Sequence, residues 1–194
     1  MKLKTITVQA ATLKHPHIVR KLVLAGASPA AWTPDSPKYN LDPKYIAGMA
    51  TATTYEESKD AFRIALFGDS EPGRKHFEQY WKRLEERTVE PPLLEPLALD
   101  PGTKNQIKAR IENDLPEKAV WPDRLAEIKI PVLVANGYED LVLGTKRSVE
   151  LFERLPNAQL VLYPKSGHGF LWQYPELFAD QVNAFLDTAA LNAS

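Results

Sequence analysis

Pro131-Val-Leu-Val-Ala-Asn-Gly-Tyr-Glu-Asp140 and Gln159-Leu-Val-Leu-Tyr-Pro-Lys-Ser-Gly-His168 are the two stretches whose reading decides the fold. Each opens as a short apolar run, of the length and composition of a strand buried on both faces. A helical stretch, about Thr145 to Leu155, separates the two strands. Another helix is expected ahead of them over Pro122 to Ile128. A last one starts near Pro175, burying Phe178, Val182 and Phe185, with its proline in the first turn where the missing N–H is not needed. Strand–helix–strand alternation at this spacing predicts right-handed parallel βαβ units and an α/β fold. Open parallel sheets build their sites just past the carboxyl ends of the strands. Both stretches end there, one in the carboxylate Asp140 and the other in the imidazole His168.

An acid on one such loop and an imidazole on the next is the arrangement a catalytic triad uses. The carboxylate accepts the imidazole N–H, fixes its tautomer and stabilises the imidazolium formed during proton transfer. Alone, an Asp in a post-strand turn is more often there to bond local backbone, and a His beside glycine is more often a surface or capping residue. Their order, on successive strand ends, favours an acid–base pair.

Further out, Leu3, Ile6, Ala10 and Leu13 share one helical face, and Pro16 disfavours helical geometry at His15, so a helix is expected to stop there. Lys21-Leu-Val-Leu-Ala-Gly26 then reads as a buried strand. Residues 29 to about 120 differ: prolines at 29, 34, 37, 43, 72, 91, 92, 96 and 101 punctuate amphipathic helical segments, with no strand signal. The clearest helix runs from about 74 to 87 and gathers Phe77, Tyr80, Trp81 and Leu84 on one face, with Glu78 and Lys82 spaced to pair on the other. The expected organisation is a partial core of residues 1–28 and 121–194, with a helical cap over 29–120.

Here a family resemblance enters. Arg124 to Asp140 resembles the acid-bearing segment of the α/β-hydrolases, and Leu155 to Phe170, with Gln173-Tyr-Pro-Glu after it, is similar to their histidine segment. Lys14-His-Pro-His-Ile-Val-Arg-Lys-Leu-Val-Leu-Ala-Gly26 resembles the helix end and strand that follow the family's nucleophile. Gly144 departs from the pattern, since proline is common there in the family. The resemblance implies a truncated α/β-hydrolase fold: a short parallel sheet flanked by helices, with a cap insertion. It also implies a triad acid at Asp140, a general base at His168, and a small apolar ester-like substrate, on a scaffold that also supports epoxide opening and dehalogenation.

The nucleophile is the departure that matters. The family carries it in a G-x-S-x-G elbow. The match registers Lys2 at the serine position, and G-x-S-x-G occurs nowhere in the 194 residues. Ser28 follows a strand end, but Pro29 offers no N–H to an oxyanion. Ser166 lies on the histidine's own loop and is expected to order that turn. No nucleophile is recognisable, and the chain is expected to be inactive alone.

Lys+Arg 24 against Asp+Glu 25 leaves a net charge of -1, which gives no electrostatic reason to expect nucleic acid or an anionic membrane as partner. The absence of cysteine excludes disulfides, thiolate metal sites and a cysteine nucleophile. His15 and His17 flank Pro16 at a helix end, and His76 sits in a charged helix, so neither place suggests a metal. No cofactor is called for. The apolar stretch at the N-terminus is broken by Thr5, Thr7 and Gln9, unlike a signal peptide, and nothing approaches the about 18 apolar residues of a membrane span. A cytoplasmic location is expected. The aromatics at 39, 45, 62, 67, 77, 80 and 81 are expected mostly in the core of the cap.

Two functions follow. One is the acid-and-base half of a hydrolase whose nucleophile comes from elsewhere, such as a chain carrying the N-terminal half. The other is a non-catalytic remnant, an oligomerising or interaction module. The strand Lys21–Ala25 presents an apolar edge, so the isolated chain is expected to self-associate, aggregate or need a partner carrying the N-terminal half.

Overall fold

β2 is the centre of the molecule, and every one of its six residues is buried. The computed structural model describes residues 2–29, 48, 51–86, 101, 102, 104, 105, 108 and 122–188. In chain order, α1 (Lys2–Lys14) leads through a 3₁₀ turn (Pro16–Ile18) to β1 (Leu22–Ala25). A helical pair follows, α2 (Tyr55–Phe67) and α3 (Glu71–Glu85). A 3₁₀ segment (Pro122–Glu127) leads to β2 (Val132–Gly137), then α4 (Thr145–Arg154) and β3 (Ala158–Tyr163). The short α5 (Phe170–Gln173) and the longer α6 (Pro175–Asp187) complete the described chain.

The sheet has the order β1-β2-β3 and is parallel throughout, with Leu22 level with Val132 and Val132 level with Ala158. On one face Leu22, Leu24, Val132 and Val134 pack with Leu125, Ile128, Leu151 and Leu155, and Leu13 of α1 closes against them. Each such side chain, fully buried, contributes about 1.5–3 kcal/mol. A second cluster joins Ala135, Tyr163 and Phe170 with Tyr174 and Phe178, so α5 and α6 cover it. Lys21 fastens the last helix: its ammonium donates to the carbonyls of Phe185 and Leu186, both at 2.8 Å, and to that of Thr188. A cation at the carbonyl end of a helix satisfies groups the helix leaves unpaired.

The helical pair is laid out by its caps. Thr54 and Glu57 form a capping box at the start of α2. Ser70 caps α3 at Gly73 N, and Pro72 fits its first turn, so the helix begins three residues before the apolar periodicity alone predicts. A Cβ on Gly73 would sit 2.1 Å from the Phe67 carbonyl oxygen, so glycine lets the two helices turn tightly. Leu66, Phe67, Phe77 and Trp81 form the buried cluster, edged by Tyr55, Phe62, Tyr80, Leu84 and Trp172. Tyr39 and Tyr45, expected in the same core, lie outside the described residues.

Three local expectations need correction. The segment from Pro122 is 3₁₀ and ends at Glu127, with Ile128 N donating to Leu125 O; so short a run cannot offset the cost of nucleating an α-helix. Glu78 and Lys82 are both exposed, and among the described ion pairs none joins them; the charged contacts of this region gather instead on Arg63, with Asp60 and Asp69. In α6, Phe185 is buried but Phe178 and Val182 are only partly so.

Candidate functional site

The loops after β2 and β3 are stitched together before any reactive side chain is placed. Tyr138 N donates to Tyr163 O at 2.8 Å, and Glu139 N to Ser166 O at 2.9 Å. A Cβ on Gly137 would lie 2.1 Å from Gly167 O and 2.4 Å from Ser166 O, so only glycine permits the approach. Ser166 donates to Tyr163 O at 2.9 Å, which orders the turn. Gln173 donates to Lys165 O and Tyr174 to Pro164 O, each at 2.8 Å, holding the second loop from α5 and just beyond it.

This stitching brings Asp140 and His168 together. Both are 2% exposed. Asp140 Oδ1 accepts from Val142 N at 2.7 Å and Leu143 N at 3.0 Å, which leaves Oδ2 to face the imidazole. His168 Nδ1 lies 2.8 Å from Asp140 Oδ2. Burial pushes the Asp140 carboxyl up, but the charge and hydrogen bond of His168, the Leu143 N–H and the Asn136 side chain outweigh it, so the group is held below its ordinary value. An ionised carboxylate can only accept, so the shared proton belongs on Nδ1, and whenever the ring is neutral Nε2 is its acceptor.

The ring lies against the end of β1. A Cβ on Gly26 would come within 2.8 Å of His168 Cε1, and Gly26 has φ +56°, so glycine is required there both for space and for conformation. His168 Nε2 is buried and has no hydrogen-bond partner among the described residues. An unpaired buried acceptor is costly unless something else is meant to meet it. Ser28 and Ser166 do not: Ser28 Oγ donates to Pro29 O at 3.2 Å, and Ser166 is turned to Tyr163.

The other histidines stand apart. His15 and His17 are exposed, and His76 Nδ1 donates to Pro72 O at 2.7 Å. Among the described residues no group of three His, Cys, Asp or Glu is placed to hold a metal ion, and no helix is long and apolar enough to cross a membrane. An open groove between α3 and the start of α6, lined by residues such as His76, Arg83, Trp172 and Glu176, includes neither Asp140 nor His168.

Sequence reasoning passed over Asn136 and Ser148. Both are fully buried, and they join the Asp140 loop to the end of β1. A signal was present, since an amide in an otherwise apolar central strand must find a partner.

The family model described as TAP-like protein, an α/β-hydrolase model, matches residues 105–194. A 2-hydroxy-6-oxononadienedioate/2-hydroxy-6-oxononatrienedioate hydrolase of Paraburkholderia phymatum is 27% identical over 180 residues, which cover 91% of this chain and 57% of that protein. An α/β-hydrolase fold protein from Chitinophaga pinensis superposes with a TM-score of 0.75 at 30% identity, over 95% of this chain and 62% of the other. The 2-hydroxy-6-oxo-6-phenylhexa-2,4-dienoate hydrolase of Rhodococcus sp. strain RHA1 shares the fold at a TM-score of 0.64 and 14% identity, over 95% of this chain and 61% of the other. The chain thus spans about three fifths of the length of these relatives.

Proposed function

Because the chain belongs to the α/β-hydrolase family, matched through its C-terminal region, we propose that Asp140 and His168 are the acid and base of a hydrolase. The observation that carries this reading is the buried Nδ1–Oδ2 contact of 2.8 Å with Nε2 left unpartnered among the described residues. Asp140 fixes the tautomer; Nε2 takes the proton from a nucleophile as it attacks and returns it to the leaving group.

That nucleophile lies outside these 194 residues. No G-x-S-x-G occurs in them, and the hydroxyls of Ser28 and Ser166 are engaged with backbone carbonyls. The substrate is a small, largely apolar molecule attacked at a carbonyl carbon. Esters fit this description. The oxo-dienedioates for which the Paraburkholderia relative is named also present a C=O to a nucleophile, and they add two carboxylates. The pair α2–α3 is part of a cap: Gly169 N, next to His168, donates to Leu66 O in α2 at 2.6 Å, and the aromatic cluster behind that contact would wall one side of a pocket.

The test is hydrolysis of activated esters and of a 2-hydroxy-6-oxo-dienoate. The chain alone is expected to give only the background rate. Mixed with a segment that carries G-x-S-x-G and the strands before it, it is expected to gain turnover that His168→Ala abolishes. Turnover by the chain alone, lost in His168→Ala, would overturn the external nucleophile. No gain with any such segment would favour a non-catalytic module instead. The partner itself would have a place to bind, since among the described residues β1 is hydrogen-bonded on one side only, to β2. Sedimentation is expected to show self-association of the chain alone, and a stable monomer at micromolar concentration would remove that part of the proposal.

A further inference from the structure

Four buried polar groups outside the acid–base pair form a closed set at the carboxyl ends of the strands, and their hydrogen atoms can be assigned by counting. Gly137 N donates to Asn136 Oδ1 at 2.8 Å, so the oxygen side of that amide is fixed and Nδ2 must face the other way. Nδ2 donates one hydrogen to Ser148 Oγ at 2.9 Å. The hydroxyl can accept it because its own hydrogen goes to Ala27 O at 2.6 Å. The Asn136 side chain is also among the groups that hold the Asp140 carboxyl below its ordinary value. Asn136 and Ser148 are each 0% exposed, so bulk water does not reach the arrangement.

The set touches all three parts of the site. Ala27 follows Gly26, whose backbone lies against the His168 ring. Asn136 is the last residue but one of β2, and Gly137, which it holds, accepts from Asp140 N at 3.4 Å. Ser148 stands on α4, where Thr145 also donates to Gly137 O at 3.0 Å and Tyr138 O at 2.7 Å. One face of α4 thus grips both the β1 end, which backs the imidazole, and the β2 loop, which carries the acid.

We propose that Asn136 and Ser148 are positioning residues: they hold the Asp140 loop and the Gly26–Ala27 backbone in the register that keeps His168 as the Nδ1–H tautomer with Nε2 open. An apolar pair of similar shape would fill the same volume, but it would leave Gly137 N without its acceptor and the β1 end without its tie to α4. Buried polar networks specify one arrangement only while every member is satisfied.

The inference rests on reading Asp140 and His168 as an acid–base pair, so the experiment separates the two. The ¹⁵N and ¹H resonances of the His168 imidazole report which nitrogen carries the proton, and four histidines keep the spectrum assignable. The chain is expected to show a strongly downfield Nδ1 proton and an unprotonated Nε2. Asp140→Ala is the reference for loss: the downfield proton disappears and the Nε2–H form grows. Asn136→Asp keeps the shape and the acceptor for Gly137 but removes the hydrogen donated to Ser148, and it is expected to produce at least half of the Asp140→Ala change. Ser148→Ala, which deletes one atom and tests the clamp even if Asn136→Asp fails to fold, is expected to shift the spectrum in the same direction by less. A packing role alone would alter the melting temperature and leave the tautomer in place. If Asp140→Ala moves the imidazole spectrum while Ser148→Ala and a folded Asn136→Asp leave it as it was, the positioning role is overturned and the pair survives. If Asp140→Ala itself changes nothing, the acid–base reading falls and this inference with it.

Discussion

The strand ends and the α2–α3 pair bury their side chains on opposite principles. Past the sheet, Asn136, Asp140, Ser148 and His168 are all within 2% of full burial, and each makes at least one buried polar contact to another loop or element. In the helical pair the buried side chains are almost all apolar: Leu66, Phe67, Phe77 and Trp81. Its buried hydroxyl, Ser58, bonds back to Thr54 O within the same turn, and Arg63, Asp60, Asp69 and Arg74 keep their ion pairs at the surface. Directional contacts fix atoms to fractions of an ångström, whereas aromatic packing fills volume and tolerates adjustment. The sheet therefore suits proton transfer and the helices suit the shaping of a pocket. They meet at a narrow seam where Gly169 N donates to Leu66 O.

The largest effect should come from the aromatic cluster. Phe77 and Trp81 are in contact at 5.2 Å between ring centroids, and Phe67 stacks edge-on to Phe77 at 5.7 Å. Truncating a buried aromatic costs about 3–5 kcal/mol. Trp81→Ala should therefore unfold α2 and α3 at much lower denaturant while leaving the imidazole spectrum of His168 in place. A tautomer change as large as that of Asp140→Ala would show that the two regions are one unit.

The seam comes next. Gly169 has an ordinary φ of -88°, so its requirement is space: a Cβ would sit 2.8 Å from Leu66 O. Gly169→Ala should cost about 1–3 kcal/mol, the range of overpacking, read from the shift in denaturant midpoint. Unlike Trp81→Ala, it should also disturb His168, because the strained atom is one residue away. A further break is chemical. The folded chain holds Asp140 below its ordinary value, so its contribution is fully present above the unfolded carboxylate's pKa and is lost as pH falls through the lower, folded one. Stability should decline below about pH 4, the range of a free aspartate. Asp140→Asn should remove this residue's share of the acid limb and turn its amide N–H toward Nδ1, forcing the proton onto Nε2. Urea midpoints measured across that pH range, in both forms, check the slope.

The sheet and its loops were legible in the sequence because their signals are local and redundant. The apolar runs at Leu22, Val132 and Gln159, each followed by glycine or proline, left little else to read, and Asp140 and His168 could be singled out by their place after those runs. The Asn136–Ser148–Ala27 link was not legible, since its members lie up to 121 positions apart and each is an ordinary residue alone. The role of Gly26 was half visible: a glycine ending a strand was plain, but its approach to the imidazole depends on how the loops fold over one another. The pair α2–α3 was read from periodicity, which locates a helix but not its first turn; the start of α3 is set by Ser70 and Pro72, three residues ahead of the apolar pattern.

The smallest expected effect lies at such a start. Thr54 accepts from Glu57 N at 3.2 Å, while Glu57 Oε2 accepts from Thr54 N at 3.2 Å and from Thr53 N at 2.8 Å. These contacts satisfy donors that no turn of the helix can reach, and they hold the Glu57 carboxyl below its ordinary value, the Thr53 and Thr54 N–H groups foremost. Thr54→Ala removes one side of the box and should cost about 1 kcal/mol. The loss should be confined to α2, as faster hydrogen exchange of the first-turn amides, and Thr54→Ser should restore protection because it keeps the acceptor. Neither variant should alter His168, since the box lies at the end of α2 opposite to Leu66. Protection lost evenly through α2, α3 and the β2 loop would contradict the division, because a local cap can spread its effect only if aromatic packing transmits strain as rigidly as the buried polar contacts do.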